Sequence, residues 1–454
     1  MRYPSGMRRA LRLALVGLLG IHVLAGCLPA PAGPGSGGSG VDPTVHPSDL
    51  PMTPPGLHPQ VVFTDLTVLP GDTKGEWLVL GLARNDSRYA LEAVFVAVEL
   101  LDPAGSPDAA ATVQLPVSVL VPGATSPFVA EIEQVLSPDG ARASLEAFRF
   151  STEAPVRVSL EAVHTTRSPE GIRVLGEVRN RDSRPIYVRD VIVAWRDANR
   201  VLAGLTIASV PAARVPDGGS LPWMAEAPGA TLQSHFEIFA AASVVDEASE
   251  VPLESAIGPA WRVTAQGRGF VSGAIRNAGD EPALPEVAIA VSAAGRLIGL
   301  EIQRSSIPLQ PGETLAFGAD RFAGLEAIPG TPAAGADDIT LELFLAGRRV
   351  PSETPTAVIL PVSIQQFEVI GSGVFLRGAL NNPGPGPLKS AMVFVSLRST
   401  TGALQTARWL ELTPPSPGES MQFSVDMPLA IGDDPAMSEF DVRALGVPLP
   451  ESSW

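Results

Sequence analysis

One short pattern recurs four times between residues 60 and 450, and a chain written this way must fold as repeated units that each bury their own apolar face. A strand-like run ends in glycine, three residues and asparagine: Gly81-Leu-Ala-Arg-Asn85, Gly176-Glu-Val-Arg-Asn180, Gly273-Ala-Ile-Arg-Asn277 and Gly378-Ala-Leu-Asn-Asn382. The glycines lie 95, 97 and 105 residues apart. A second apolar run follows in each copy and stops at a polar turn: Asp102-Pro-Ala-Gly105, Asp197-Ala-Asn-Arg200, Ala294-Gly295 and Thr401-Gly402. Then a Pro-Gly type turn leads to an aromatic: Pro122-Gly123 to Phe128, Pro216-Asp-Gly218 to Trp223, Pro311-Gly312 to Phe317, and Pro417-Gly418 to Phe423. From glycine to proline the distances are 41, 40, 38 and 39 residues, a regularity far more specific than any of the motifs alone.

The periodicity is that of strands. Ile172, Val174, Gly176 and Val178 alternate with Arg173, Leu175, Glu177 and Arg179, which predicts one face on a core and the other largely in water. Val374, Leu376, Gly378 and Leu380 repeat the arrangement in the fourth copy. A glycine inside such a strand lets a facing group come close, and an asparagine at its end can bond its own backbone and close the strand. The 44 glycines and 45 prolines are too many for a helical protein and suit turns and strand edges. The expected fold class is all-β: a tandem array of four small immunoglobulin-like β-sandwich domains, after a signal peptide and a disordered tether. The expected boundaries are 61–154, 155–252, 253–354 and 355–454 for the repeats.

The first residues carry Arg2, Arg8, Arg9 and Arg12, then an apolar run from Leu13 to Leu24, then Ala25, Gly26 and Cys27. These are the three parts of a secretory signal, and the run is shorter than the roughly 20 residues a spanning helix needs. Leu24-Ala25-Gly26-Cys27 resembles the lipobox of bacterial lipoproteins. That resemblance implies cleavage after residue 26, acylation of the Cys27 thiol, and attachment through lipid to the extracytoplasmic face of a cell membrane or outer membrane. Cys27 is the sole cysteine of 454 residues, so the chain has no intramolecular disulfide and no cysteine-based zinc site. Residues 27–60, with Gly33-Pro-Gly35-Ser-Gly-Gly38 among many prolines, have no apolar period and read as a tether.

The repeats resemble the FxLYD domain family of bacterial envelope proteins, which combines Gly-x-Val-x-Asn, an apolar strand ending in Asp-x-x-Gly, and a Pro-Gly-Glu turn before Phe. The first copy has Phe95-Val-Ala-Val-Glu-Leu-Leu-Asp102-Pro-Ala-Gly105, the second keeps Asp197 but has Arg200 for the glycine, and the last two keep Pro311-Gly-Glu-Thr and Pro417-Gly-Glu-Ser. The resemblance implies a β-sandwich outside the cytoplasm and no particular activity.

Charge and chemistry narrow the function further. The formal charge is −16, and −20 once the basic leader is removed, a surface that repels a phosphate backbone and argues against a nucleic-acid partner. His46 and His58 fall in the tether and His164 and His235 in separate stretches of the second copy, without zinc-ligand spacing. No Gly-x-Ser-x-Gly elbow occurs, and the lysines of the repeats are Lys74 and Lys389. The Gly-x-Gly-x-x-Gly match at Gly33 lacks the strand and helix that phosphate binding needs. Asp337-Asp338 and Asp433-Asp434 read as solvated faces rather than calcium loops, and Trp77, Trp195, Trp223, Trp261 and Trp409 as core or turn-closing residues, with Trp454 exposed. The expectation is a non-catalytic structural or interaction protein without cofactor or metal. It is held to a membrane by lipid on Cys27 and presents its modules to a protein or polysaccharide of the cell envelope. The alternative is a carbohydrate- or peptide-binding accessory module of an envelope enzyme or transporter.

Overall fold

The computed structural model describes residues 59–71, 73, 75–133, 137–152, 156–168, 171–245, 250–320, 322 and 339–450. Among these the chain is all-β, with 26 strands in eight antiparallel sheets. Leu24, Ala25, Gly26 and Cys27 of the leader lie outside the described residues, as does all of the tether before Pro59. No helix among the described residues is long and apolar enough to cross a membrane.

The first copy contributes β1 (Val61–Pro70), β2 (Glu76–Asn85), β3 (Leu91–Leu101), β4 (Pro107–Gln114), β5 (Val119–Leu120), β6 (Thr125–Glu133) and β7 (Gly140–Phe150). They form one sheet in the order β1-β2-β6 and another in which β3 pairs with β4, β5 and β7. In the second, β8 (Val158–Ser168), β9 (Gly171–Asn180), β10 (Ile186–Arg196), β11 (Leu202–Ile207), β12 (Ser220–Pro228) and β13 (His235–Val244) give sheets β12-β9-β8 and β11-β10-β13. The third has β14 (Leu253–Val263), β15 (Gly269–Asn277), β16 (Ala283–Ala293), β17 (Arg296–Arg304), β18 (Thr314–Ala319) and β19 (Ile339–Arg349), as β14-β15-β18 and β17-β16-β19. The fourth has β20 (Val358–Leu360), β21 (Val362–Ile370), β22 (Gly373–Asn381), β23 (Leu388–Ser399), β24 (Leu404–Leu412), β25 (Ser420–Pro428) and β26 (Ser438–Pro448), as β21-β22-β25 and β20-β26-β23-β24.

Alternation places the core. Val79 of β2, Phe128, Ala130 and Ile132 of β6, and Val94, Val96, Val98 and Leu100 of β3 belong to one buried cluster, so both sheets of the first copy give their apolar faces to it. Leu376 and Leu380 of β22, Val393 and Val395 of β23, and Phe423, Val425 and Met427 of β25 do the same in the fourth.

The described residues fall into two compact units, one within Met1–Val210 and Arg214–Val245, the other within Pro211–Ala213 and Asp246–Trp454. Each unit holds two copies, because the outer face of a sheet in one is covered by a sheet of the next. In unit 1, Leu80 of β2 is buried with Ala194 of β10 and Leu202 of β11, and Leu69, Val129, Leu205 and Phe239 pack around them. In unit 2, one cluster runs from Val271, Ile275 and Phe317 of the third copy to Met392, Phe394 and Leu445 of the fourth. The expected wet face of β9 is therefore a correction: Arg173 and Leu175 are buried there, and the Arg173 guanidinium lies 2.5 Å from a Glu226 carboxylate oxygen. Arg173 stays buried because its charge is matched on the neighbouring strand β12.

The turn of the second copy shows what the missing glycine costs. Asp197 caps it, accepting the N–H of Asn199 and of Val201 through Oδ1, and Arg200 sits at φ 65°. Gly105 and Gly402 take the equivalent left-handed conformation at φ 79° and 83° in the first and fourth copies. Left-handed backbone costs an L-residue about 1–2 kcal/mol, and glycine loses about 0.5–1 kcal/mol to chain entropy, so Arg200→Gly is expected to stabilise unit 1 by about 0.5–1 kcal/mol. A raised urea midpoint at constant slope would register it, since the Arg200 carbonyl that accepts from Arg196 is main chain and is retained.

Candidate functional site

Each copy holds its loops at one end by the same three-part brace. The first part is the repeated glycine, which stands directly across the ladder from the repeated aromatic: Gly81 opposite Phe128, Gly176 opposite Trp223, Gly273 opposite Phe317, and Gly378 opposite Phe423. The ring lies over the glycine. A β-carbon there would meet Phe128 Cζ at 2.4 Å, Trp223 Cζ2 at 2.7 Å, Phe317 Cζ at 2.5 Å and Phe423 Cζ at 2.7 Å. Hence only glycine leaves room for the aromatic that fills the core.

The second part is the Pro-Gly turn before the aromatic. Gly123, Gly218, Gly312 and Gly418 all have φ between 66° and 78°, as the third residue of a tight turn requires. Three of these glycines donate their N–H to the main-chain oxygen of the repeated asparagine: Gly123 to Asn85, Gly312 to Asn277 and Gly418 to Asn382.

The third part is the asparagine side chain, fully buried or nearly so in all four copies. Its Nδ2 donates to the carbonyl four residues on: Tyr89 at 2.7 Å, Arg184 at 2.8 Å, Glu281 at 2.8 Å and Gly386 at 3.0 Å. The same nitrogen donates to a carbonyl in the segment before the Pro-Gly turn: Leu120 at 2.8 Å, Val215 at 3.1 Å, Leu309 at 2.9 Å and Pro415 at 3.3 Å. Its Oδ1 accepts the N–H two residues on, from Ser87, Asp182, Gly279 and Gly384. Asparagine alone supplies two donors and an acceptor at this length, so one side chain bonds three main-chain groups at once. The sequence pattern implies only the local bond that closes the strand; the link to the distant loop is visible only once the sheets are paired.

The braced loops differ in chemistry. In the first, Arg84 pairs with Asp86 at 2.6 Å and Arg88 lies over the Tyr89 ring at 4.9 Å. In the second, Arg184 bonds Asp182 with two nitrogens, at 2.9 and 3.1 Å, and Arg181 pairs with Glu161. The third is acidic, with Asp280 beside Glu281, which meets Arg349 at 2.7 Å. The fourth is Pro383-Gly-Pro-Gly386, without charge. The same local brace thus carries a loop of different chemistry in each copy.

Ion pairs hold the copies of each unit together. In unit 1 Arg196 of the second copy reaches Asp65 of the first at 2.9 Å and is held in place by Glu237 of its own copy at 2.7 Å. In unit 2, Arg262 meets Asp433 at 2.6 Å, Arg408 pairs with Asp320, Arg443 pairs with Glu313, and Trp409 Nε1 donates to the Ala316 carbonyl at 2.6 Å. The hydrogen bond from Arg196 holds the Asp65 carboxyl below its ordinary range, and the Arg184 side chain and N–H lower Asp182 to about 2. A depressed carboxyl contributes stability that is complete above its unfolded value, about 4, and is lost as pH falls through the folded one. Unit 1 is therefore expected to lose stability between about pH 4 and pH 2. Asp65→Asn and Asp182→Asn should flatten that window in urea midpoints taken at successive pH values.

The remaining candidates from the sequence fall at separate places. Trp195 is buried over Gly204 and Trp223 over Gly176, Trp261 packs over Gly269, and Trp77 is partly buried against the first core. His164 is partly buried, with Nδ1 2.9 Å from the Ala162 carbonyl, and His235 is exposed at the start of β13. Asp433 is taken up by Arg262 and the Ala430 N–H, and Asp434 by the Ala436 N–H. Asp337, Asp338, His46, His58, Lys74 and Trp454 lie outside the described residues. No group of three or more His, Cys, Asp or Glu that could hold a metal occurs among the described residues.

No family model matches the chain, and no curated protein does either. Among solved structures it is similar to PNGF-II in two crystal forms, in space groups P21 and C2, at 7% identity and a TM-score of 0.14. The alignments cover 79% of this chain and 99% and 97% of those chains, and at that score they carry no structural argument.

Proposed function

We propose that the chain is a lipid-anchored extracytoplasmic interaction protein that presents four FxLYD-type β-sandwich modules to an envelope partner and acts without catalysis. The observation that carries the reading is the brace: one buried asparagine, one glycine under an aromatic and one Pro-Gly turn hold four loops of different charge in the same local frame. Rigid frames with variable loops favour recognition, because the loops lose little freedom on binding. Several modules on one chain add effective concentration, so weak contacts at separate loops sum to a firm attachment. The Leu24-Ala25-Gly26-Cys27 leader supports the location, since acyl chains on one residue suffice to anchor a soluble body.

The anchor is tested by the mass of the mature N-terminus and by fractionation. The native chain is expected to begin at an acylated Cys27 and to sediment with membranes, and Cys27→Ala to remain unacylated. An unmodified Cys27 on the full-length chain defeats the proposal. The recognition role is tested by photo-crosslinkers at Arg88 and Asp280 in the anchored chain, with Asn85→Ala and Asn277→Ala expected to reduce the crosslink to the same envelope component.

A further inference from the structure

We infer that the free edge of β21 is a strand-addition site for an extended peptide segment in which apolar residues alternate with basic ones. This deepens the interaction reading and rests on it, naming where one partner docks and by what chemistry.

Among the described residues the first long strand of every copy lies at a sheet edge: β1, β8, β14 and β21 each pair on one side only, with β2, β9, β15 and β22. A free edge presents unpaired N–H and C=O groups that template another strand, and proteins blunt it with bulges, proline or charge. Three of the four edges are blunted. The β1 ladder shifts between Thr64 and Thr67 around Asp65 at φ 57°, and the β8 ladder between Glu161 and His164 around Ala162 at φ 50°. The β14 ladder shifts twice, and Pro259 within it has no N–H to offer. β21 has no proline, no glycine and no left-handed residue, and one shift near its start, between Ile364 and Gln366.

Beyond Val362, which packs on the core of the fourth copy, its apolar side chains are left open as well. Ile364, Phe367, Val369 and Ile370 are 47, 42, 50 and 58% exposed, whereas Val61, Phe63, Leu66 and Val68 of β1 pack on the core of the first copy. Phe367 meets the Phe440 ring of β26 at 4.6 Å, which extends the apolar strip across to the other sheet. The charged side chains on β21 and immediately beside Phe440 are Glu368, Glu439 and Asp441, all exposed acids on a chain of net charge −16. In strand addition the main chain supplies affinity and alternate side chains select the partner, so this edge selects valine- or isoleucine-like residues interleaved with lysine or arginine. A second copy of the chain fits less well. Pairing β21 with itself brings Glu368 near its like, and one strand edge buries far less than the roughly 1,200–2,000 Å² of a stable interface.

The test titrates the full chain with a labelled peptide of alternating valine and lysine, the length of β21. Saturable one-to-one binding is expected, with slowed amide exchange confined to residues 362–370. Val369→Lys and Glu368→Lys should each weaken it about tenfold or more at an unchanged unfolding midpoint. The same peptide N-methylated at alternate residues, unable to extend a ladder, should not bind. Equal binding of the methylated peptide, or protection on β1, β8 or β14 instead, overturns the proposal. So does a dimer that Val369→Lys breaks, which makes a second copy the occupant. A chain that ignores the peptide yet still crosslinks to its envelope component through Arg88 or Asp280 overturns the β21 site alone and leaves the interaction reading standing.

Discussion

Asn277→Ala is expected to destabilise unit 2 by about 2–3 kcal/mol, because the substitution removes three hydrogen bonds to main-chain groups, leaving two part-buried ones unpaired and the buried Leu309 carbonyl with the Ala283 N–H alone. The groups are the Glu281 and Leu309 carbonyls and the Gly279 N–H. Asn277→Asp separates hydrogen bonding from packing. It keeps shape and volume but turns the two-proton donor into an oxygen facing two carbonyl oxygens, so it should cost at least as much as alanine at neutral pH. Midpoints and slopes from urea unfolding followed by fluorescence give both values, and limited proteolysis should find new cleavage between residues 278 and 283 in each variant. An aspartate variant as stable as the native chain would show that the side chain braces nothing.

Gly176→Val is expected to cost about 3 kcal/mol in unit 1, at the upper end of overpacking effects, because the residue above it has nowhere to go. The new β-carbon would stand 2.7 Å from Trp223 Cζ2, and Trp223 is fully buried. Trp223→Leu alone should also destabilise, by opening a void over the glycine. Together the two changes fill each other's space, so the double variant should be more stable than the sum of the single effects by at least about 1 kcal/mol, the signature of direct contact. Gly140→Val is the internal control: a β-carbon there would have nothing within 4 Å, and its cost should stay within about 0.5 kcal/mol. Strict additivity in the cycle would mean that glycine and indole are not coupled.

Much of this is legible in the sequence, and the reason is local. The alternation in β9 and β22, the Pro-Gly turns and the aromatic beyond them are set by neighbours within a few residues, where backbone sterics and side-chain period leave few choices. The glycine is recognisable as a place of close approach, yet its partner is not, since Gly176 and Trp223 become opposite only when β9 and β12 pair in one register. Arg200 reads as a lost glycine and holds the glycine conformation regardless, because Asp197 fixes the rest of the turn.

By its own pattern the sequence determined that the chain forms strands, where they turn, and that the pattern comes in four copies, because each of these depends on short-range geometry repeated in kind. Only the tertiary structure decided which outer faces stay wet. Leu175 reads as an outward residue on a half-buried strand and is buried, and Leu80, in the same place before the repeated glycine of the first copy, is buried by Ala194 and Leu202 from the next copy. Arg196 finds Asp65 across 131 residues of chain. Burial is a property of what arrives from elsewhere, and no period within a single strand records the sheet that will cover it.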